Sequence, residues 1–124
     1  MVGLTLRVDL SRTRAVGPGK VRLLELIDKT GSISAAGRAM EMSYRRAWLL
    51  VEELNNLFRE PVATTKLGGR AGGGAALTPF GRSLVRRYRE MEAEAAAALA
   101  RHLSAFDAAA KPARRAPRPR KAAS

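Results

Sequence analysis

The run Ser43-Tyr44-Arg45-Arg46 sets two hydroxyls beside two guanidinium groups. On the first turn of a helix these groups suit the binding of phosphates or base edges. An arginine fork matches guanine O6 and N7 or a pair of phosphate oxygens, and serine, tyrosine and helix N-terminal N–H groups donate to single oxygens. Arg38 lies just before this run, and Lys66 and Arg70 lie in a glycine-rich stretch after it. Each has a blander reading: a solvated arginine face, a tyrosine packed in the core, a plain flexible hairpin. Charge weighs against the bland readings, since 23 Lys and Arg stand against 11 Asp and Glu for a net +12. Such a chain prefers a polyanion.

Other chemistries find no machinery. There is no cysteine, hence no disulfide, thiolate metal site or cysteine nucleophile. His102 is the one histidine and lacks a second ligand at helical spacing. With no Ser/His/Asp or paired-carboxylate arrangement, the expectation is a non-enzyme with no catalytic residue, no metal and no cofactor. The glycines at 68, 69 and 72–74 lack the Gly-Lys-Ser/Thr ending of a phosphate-binding loop. No apolar run reaches the roughly 20 residues of a membrane span, and MVGLTLRVDL lacks the pattern of a secretion signal. A cytoplasmic, nucleoid-associated protein is expected.

The elements that must carry these residues follow from periodicity. Leu4 to Leu10 alternates as a half-buried strand does. Val21, Leu24 and Ile27, with Leu23 and Leu26, predict a first helix ended by Thr30-Gly31. Ser34 is the expected cap of a short second helix, and Glu41-Met42 the turn to a third, capped by Ser43 and running from Tyr44 to Phe58. Trp48, four residues after Tyr44, is assigned to the core as a packing anchor. Val62–Lys66 and Ala75–Thr78 flank the glycine-rich stretch as a hairpin. Thr78 then caps a long fourth helix with Pro79 at its first position.

That helix, read from Pro79 to about Ala109, carries Leu84, Tyr88, Met91, Ala95, Leu99, Leu103 and Phe106 on one stripe. At 1.5 Å per residue it spans roughly 45 Å, more than so small a domain covers, so the stripe is expected to dimerise the chain. Residues 111–124 hold six of the basic residues and no acid and read as a disordered tail. The expected fold is mostly α with a small β wing: a winged helix-turn-helix with a long C-terminal dimerisation helix, occupying residues 1–110.

The stretches GSISAAGRAMEMSYRRAW and TTKLGGRAGGGAALTPFGRSLVRRY resemble the N-terminal domain of the molybdate-responsive regulator ModE and, more distantly, the DNA-binding head of LysR-type regulators. The likeness runs from about Leu4 to Glu94. It implies a homodimer that reads a palindromic operator in double-stranded DNA. The chain ends where the molybdate-binding module would begin. The expectation is therefore a one-domain relative acting constitutively, through another signal or with a separate sensor protein. A sequence-specific transcriptional regulator is the leading reading. A sequence-indifferent nucleoid-type DNA binder and a protein-interaction module using the long helix are its rivals.

Overall fold

The computed structural model describes residues 2–66 and 74–112. Chain order is β1 (Val8–Asp9), β2 (Ala15–Val16), α1 (Pro18–Thr30), α2 (Ile33–Ala39), α3 (Tyr44–Leu57), β3 (Ala63–Lys66), β4 (Gly74–Leu77), α4 (Pro79–Ala98) and α5 (Ala100–Ala109). β1 and β2 form one antiparallel pair, with Val8 opposite Val16. β3 and β4 form another, from Ala63 opposite Leu77 to Lys66 opposite Gly74.

α1 is the centre of the packing. Its Val21, Leu23, Leu24, Leu26 and Ile27 are buried and meet α2, α3, α4 and β4. Pro18 suits the first turn, where no N–H is required. Gly31 closes α1 in the left-handed conformation at φ 71° and donates to the Ile27 carbonyl at 2.8 Å, a role that favours glycine. Ile33, Ala36, Ala47, Val51, Leu54, Val62, Ala63, Ala75 and Leu77 complete the core with Val16 and Tyr88.

α2 and α3 meet closely because Gly37 has no side chain: a β-carbon there would lie 3.1 Å from that of Ala47. The turn between them is held by the Met42 N–H donating to the Gly37 carbonyl at 2.9 Å, with Glu41 at φ 56°. α2 is capped by Ser32, whose hydroxyl accepts from the Ala35 N–H at 3.0 Å. Ser34, the expected cap, lies inside the helix and accepts from Arg38.

The expected fold class is corrected in both its β and its C-terminal parts. The β structure is two separate two-stranded sheets. The strand expected over Leu4–Leu10 pairs only at Val8–Asp9, because Leu4 and Leu10 point to solvent and the Leu6 carbonyl accepts from the Tyr88 hydroxyl at 2.8 Å. No long dimerisation helix is present among the described residues. α4 stops at Ala98, where Leu99 turns to φ −104°, ψ 9°, and α5 restarts at Ala100. Leu99 N–H still reaches Ala95 O, and Leu103 N–H reaches Leu99 O, so the interruption is confined to one turn. No proline or glycine causes it.

The stripe expected to dimerise the chain serves two environments. Tyr88 is buried and Leu84 packs on the core. Ala95 and Leu103 are half-buried, and Met91, Leu99 and Phe106 are exposed. Periodicity in the first half of α4 therefore records packing within the chain. No helix among the described residues is long and apolar enough to cross a membrane.

Candidate anion-binding face

α3 is positioned at both ends. At its start Ser43, at φ −67°, ψ 157°, accepts from the Arg46 N–H at 3.1 Å, one of the first-turn N–H groups that have no partner within a helix. At its end Arg14 donates to the carbonyls of Asn56 and Leu57 at 3.0 and 3.2 Å. These bonds hold the last turn, whose carbonyls have no partner within the helix.

Ser43, Tyr44, Arg45, Arg46 and Arg38 are all exposed and come together around the α2–α3 turn. Arg38 donates to the Ser34 hydroxyl at 2.9 Å, which holds its stem along α2. Among the described residues, Arg38, Arg45 and Arg46 form no ion pair. Glu53, further along the same side of α3, pairs with Lys20. Ser43, Arg45, Arg46, Leu49, Leu50 and Glu53 line an open depression of about 310 Å³.

Trp48 is not in the core. It is 39% exposed and Tyr44 is 55% exposed, so the two rings stand one turn apart on the solvent side of α3. The core assignment fails because the Tyr44 side of α3 is itself exposed. Residues four apart share a helix face, and a face shared with Tyr44, Arg45 and Leu49 is a surface. Trp48 also lines a groove of about 370 Å³ between α3 and β3, with Glu52, Asn55, Thr64 and Thr65.

Asn55 drew no notice in the sequence. Its side chain accepts from the Val62 and Ala63 N–H groups at 2.8 and 3.1 Å and donates to the Ala63 carbonyl at 3.1 Å. It thereby fixes the start of β3 on α3. An asparagine late in an amphipathic helix and a few residues before a strand is the only sequence signal of this role. The backbone of Lys66 pairs with Gly74 at the far end of β3, and Arg70 lies outside the described residues.

α4 is tied to α1 by Arg89, which bonds both Glu25 oxygens at 2.6 and 2.9 Å and reaches Glu92 at 2.7 Å. The Arg89 hydrogen bonds hold the Glu25 carboxyl below its ordinary range, against an opposing effect of burial. The hydrogen bond to Glu25 and then that to Glu92 raise the Arg89 guanidinium. Burial, more than the charge of Glu92, raises the Tyr88 phenol. Among the described residues, no group of three or more His, Asp or Glu side chains is placed to hold a metal ion.

No family model matches the chain. It is similar to the molybdenum-pterin-binding protein MopB of Rhodobacter capsulatus, 48% identical over 101 residues, covering 81% of this chain and 36% of that protein. It is 40% identical over 94 residues to the molybdenum transport protein ModE of Azotobacter vinelandii, covering 76% and 35%. To the DNA-binding transcriptional dual regulator ModE of Escherichia coli K12 it is 33% identical over 85 residues, covering 68% and 32%. The chain thus spans about a third of the length of these relatives, whose names are those of binding, transport and regulatory proteins.

These matches correct the resemblance drawn from the sequence. The sequence likeness is to the N-terminal domain of the molybdate-responsive regulator ModE without its molybdate-binding module, with LysR-type heads more distant. At 48% identity the match is instead to a protein named for binding molybdenum-pterin, with ModE following at 40% as a transport protein and at 33–34% as a transcriptional regulator. The homodimeric, sequence-specific transcriptional regulator on a palindromic DNA operator rested on that N-terminal domain and on the dimerisation helix. It is set aside with its two rivals and with the separate sensor protein.

Proposed function

We propose that this chain is the helical portion of a molybdenum-linked binding protein, and that Arg38, Ser43, Tyr44, Arg45 and Arg46 form its face for tetrahedral oxyanion groups. One observation carries the reading. Three guanidinium groups with no carboxylate partner among the described residues surround the Ser43-capped start of a 14-residue helix. A helix N-terminus and arginine forks both favour anions with several acceptor oxygens. Molybdate and phosphate esters share that chemistry, and the relatives' names support the molybdenum side of it.

The face is open, so each contact is screened by water and salt and contributes little alone. A ligand presenting several oxyanions at once gains more, because each neutralised charge also releases a counterion. The reading makes the protein a non-enzymatic cytoplasmic binder whose working unit is residues 1–110, with six further basic residues in 111–124.

Calorimetric titration of the full chain with sodium molybdate, sodium phosphate and a mixed-sequence DNA duplex, each at two salt concentrations, separates the sources. Saturation by molybdate and not by phosphate identifies the free metal oxyanion. Binding of the duplex alone, weakening steeply with salt, refutes the molybdenum-linked reading. Silence in every arm, or equal binding by an Arg45→Ala/Arg46→Ala variant, refutes the face.

A further inference from the structure

The groove between α3 and β3 brings three kinds of chemistry to one stretch of helix. Buried Ile33 and Val51 give it an apolar lining, and its volume of about 370 Å³ suits a small molecule. Trp48 adds a large flat surface at 39% exposure. One turn along α3 stands Glu52, half-buried, whose carboxylate makes no ion pair or hydrogen bond with a described residue. Three residues further, Asn55 commits its oxygen to the Val62 and Ala63 N–H groups and one N–H to the Ala63 carbonyl. Those bonds fix the carboxamide, and its second N–H has no acceptor among the described residues.

Each feature narrows the ligand. An indole stacks well against a flat heteroaromatic ring. A carboxylate pairs best with two parallel N–H donors, and a fixed N–H beside it calls for an acceptor next to those donors. A cation could supply the donors, but a chain of net +12 repels cations, whereas a neutral ring is not repelled. We infer that this groove binds a neutral 2-amino-4-oxopyrimidine ring, the ring common to guanine and pterins. The ring stacks on Trp48, donates its amino and ring N–H groups to Glu52 and accepts from Asn55 at its carbonyl. The site is independent of the oxyanion face, since the groove and the Arg45–Arg46 depression share no lining residue.

Equilibrium dialysis of the full chain at one fixed salt concentration tests it, with guanosine set against inosine and pterin against 4-hydroxypteridine. The second member of each pair lacks only the 2-amino group. Guanosine, pterin or both should bind, at least about tenfold tighter than the analogue, because a charge-assisted donor is lost from the analogue. Which of the two binds names the source of the ring. Glu52→Gln should erase the preference for the amino group, and Trp48→Leu should weaken both members of a pair alike. Arg45→Ala/Arg46→Ala should leave this binding unchanged, and sodium molybdate should not compete for it. Equal binding within both pairs, or no binding of guanosine and pterin, overturns the site on the wild-type chain with no variant required. So does a preference that survives Glu52→Gln, or binding that is lost in Arg45→Ala/Arg46→Ala. A chain that binds guanosine or pterin but not molybdate refutes the oxyanion face and supports the groove, and the converse refutes the groove alone.

Discussion

The strictest constraint on any single residue falls on Gly81. A β-carbon there would lie 2.0 Å from the Val62 carbonyl oxygen and 2.9 Å from its carbon, and both neighbours are backbone that α3 and α4 hold in place. Gly81→Ala must push α4 off the hairpin root, and urea denaturation should show a loss of about 2 to 4 kcal/mol. A variant as stable as wild type would mean that this approach is looser than the structure has it. Gly37→Ala meets only the Ala47 methyl at 3.1 Å, and its cost should be smaller, about 1 kcal/mol. At this scale the caps were partly legible. Ser43 and Thr78 precede clear helical starts and cap as expected. Ser32 and Ser34 are the same residue type two positions apart, and only burial of Ile33 decides that the helix begins between them.

Between elements, the pairing of α1 with α4 through Glu25 and Arg89 makes a pH-dependent contribution of definite sign. The folded carboxyl titrates below its ordinary value near 4.5, so the contribution is complete above that value and disappears as pH falls through the folded one. Glu25→Gln should therefore be less stable than wild type at pH 7, with the gap closing in acid. Because the pair is partly exposed, the difference at pH 7 should be about 1 kcal/mol or less. Parallel denaturation curves at neutral and acid pH check it, and a gap that widens in acid would refute the assignment. The pair itself was not legible, since nothing in the spacing of residues 25 and 89 links them. The end of α4 was misread for a related reason. An alanine-rich helical pattern through Ala95–Ala98 and on to Phe106 has no sequence mark where the backbone turns at Leu99, so only the dihedral angles reveal it.

Over the whole molecule, the order of the elements from α1 to the start of α4 followed from hydrophobic periodicity and turn residues, which are local signals. What those signals could not carry was which face each helix turns outward. Tyr88 on the expected seam is buried, and Trp48 in the expected core is exposed. Trp48 is assigned by residue type, and Tyr88 by a stripe whose first half the chain's own core occupies. Charge is the property of the chain as a whole that the sequence displays openly. Removing residues 111–124 takes away six positive charges of the net +12. It should weaken binding of sodium molybdate and of sodium phosphate by a similar factor, more at low salt than at high. An unequal change between the two anions would assign the tail a selective role.

Trp48 is the one tryptophan in the chain, and it stands on the groove wall at 39% exposure. Its indole therefore dominates the protein's ultraviolet emission and reports from a single place. A molecule settling over the α3 face would exclude water from that ring and move its emission to shorter wavelength. Arrival at the tip of α5, far along the chain at Phe106, would leave the spectrum as it was. The protein thus carries its own optical address label, able to say where a partner lands before any dye is attached.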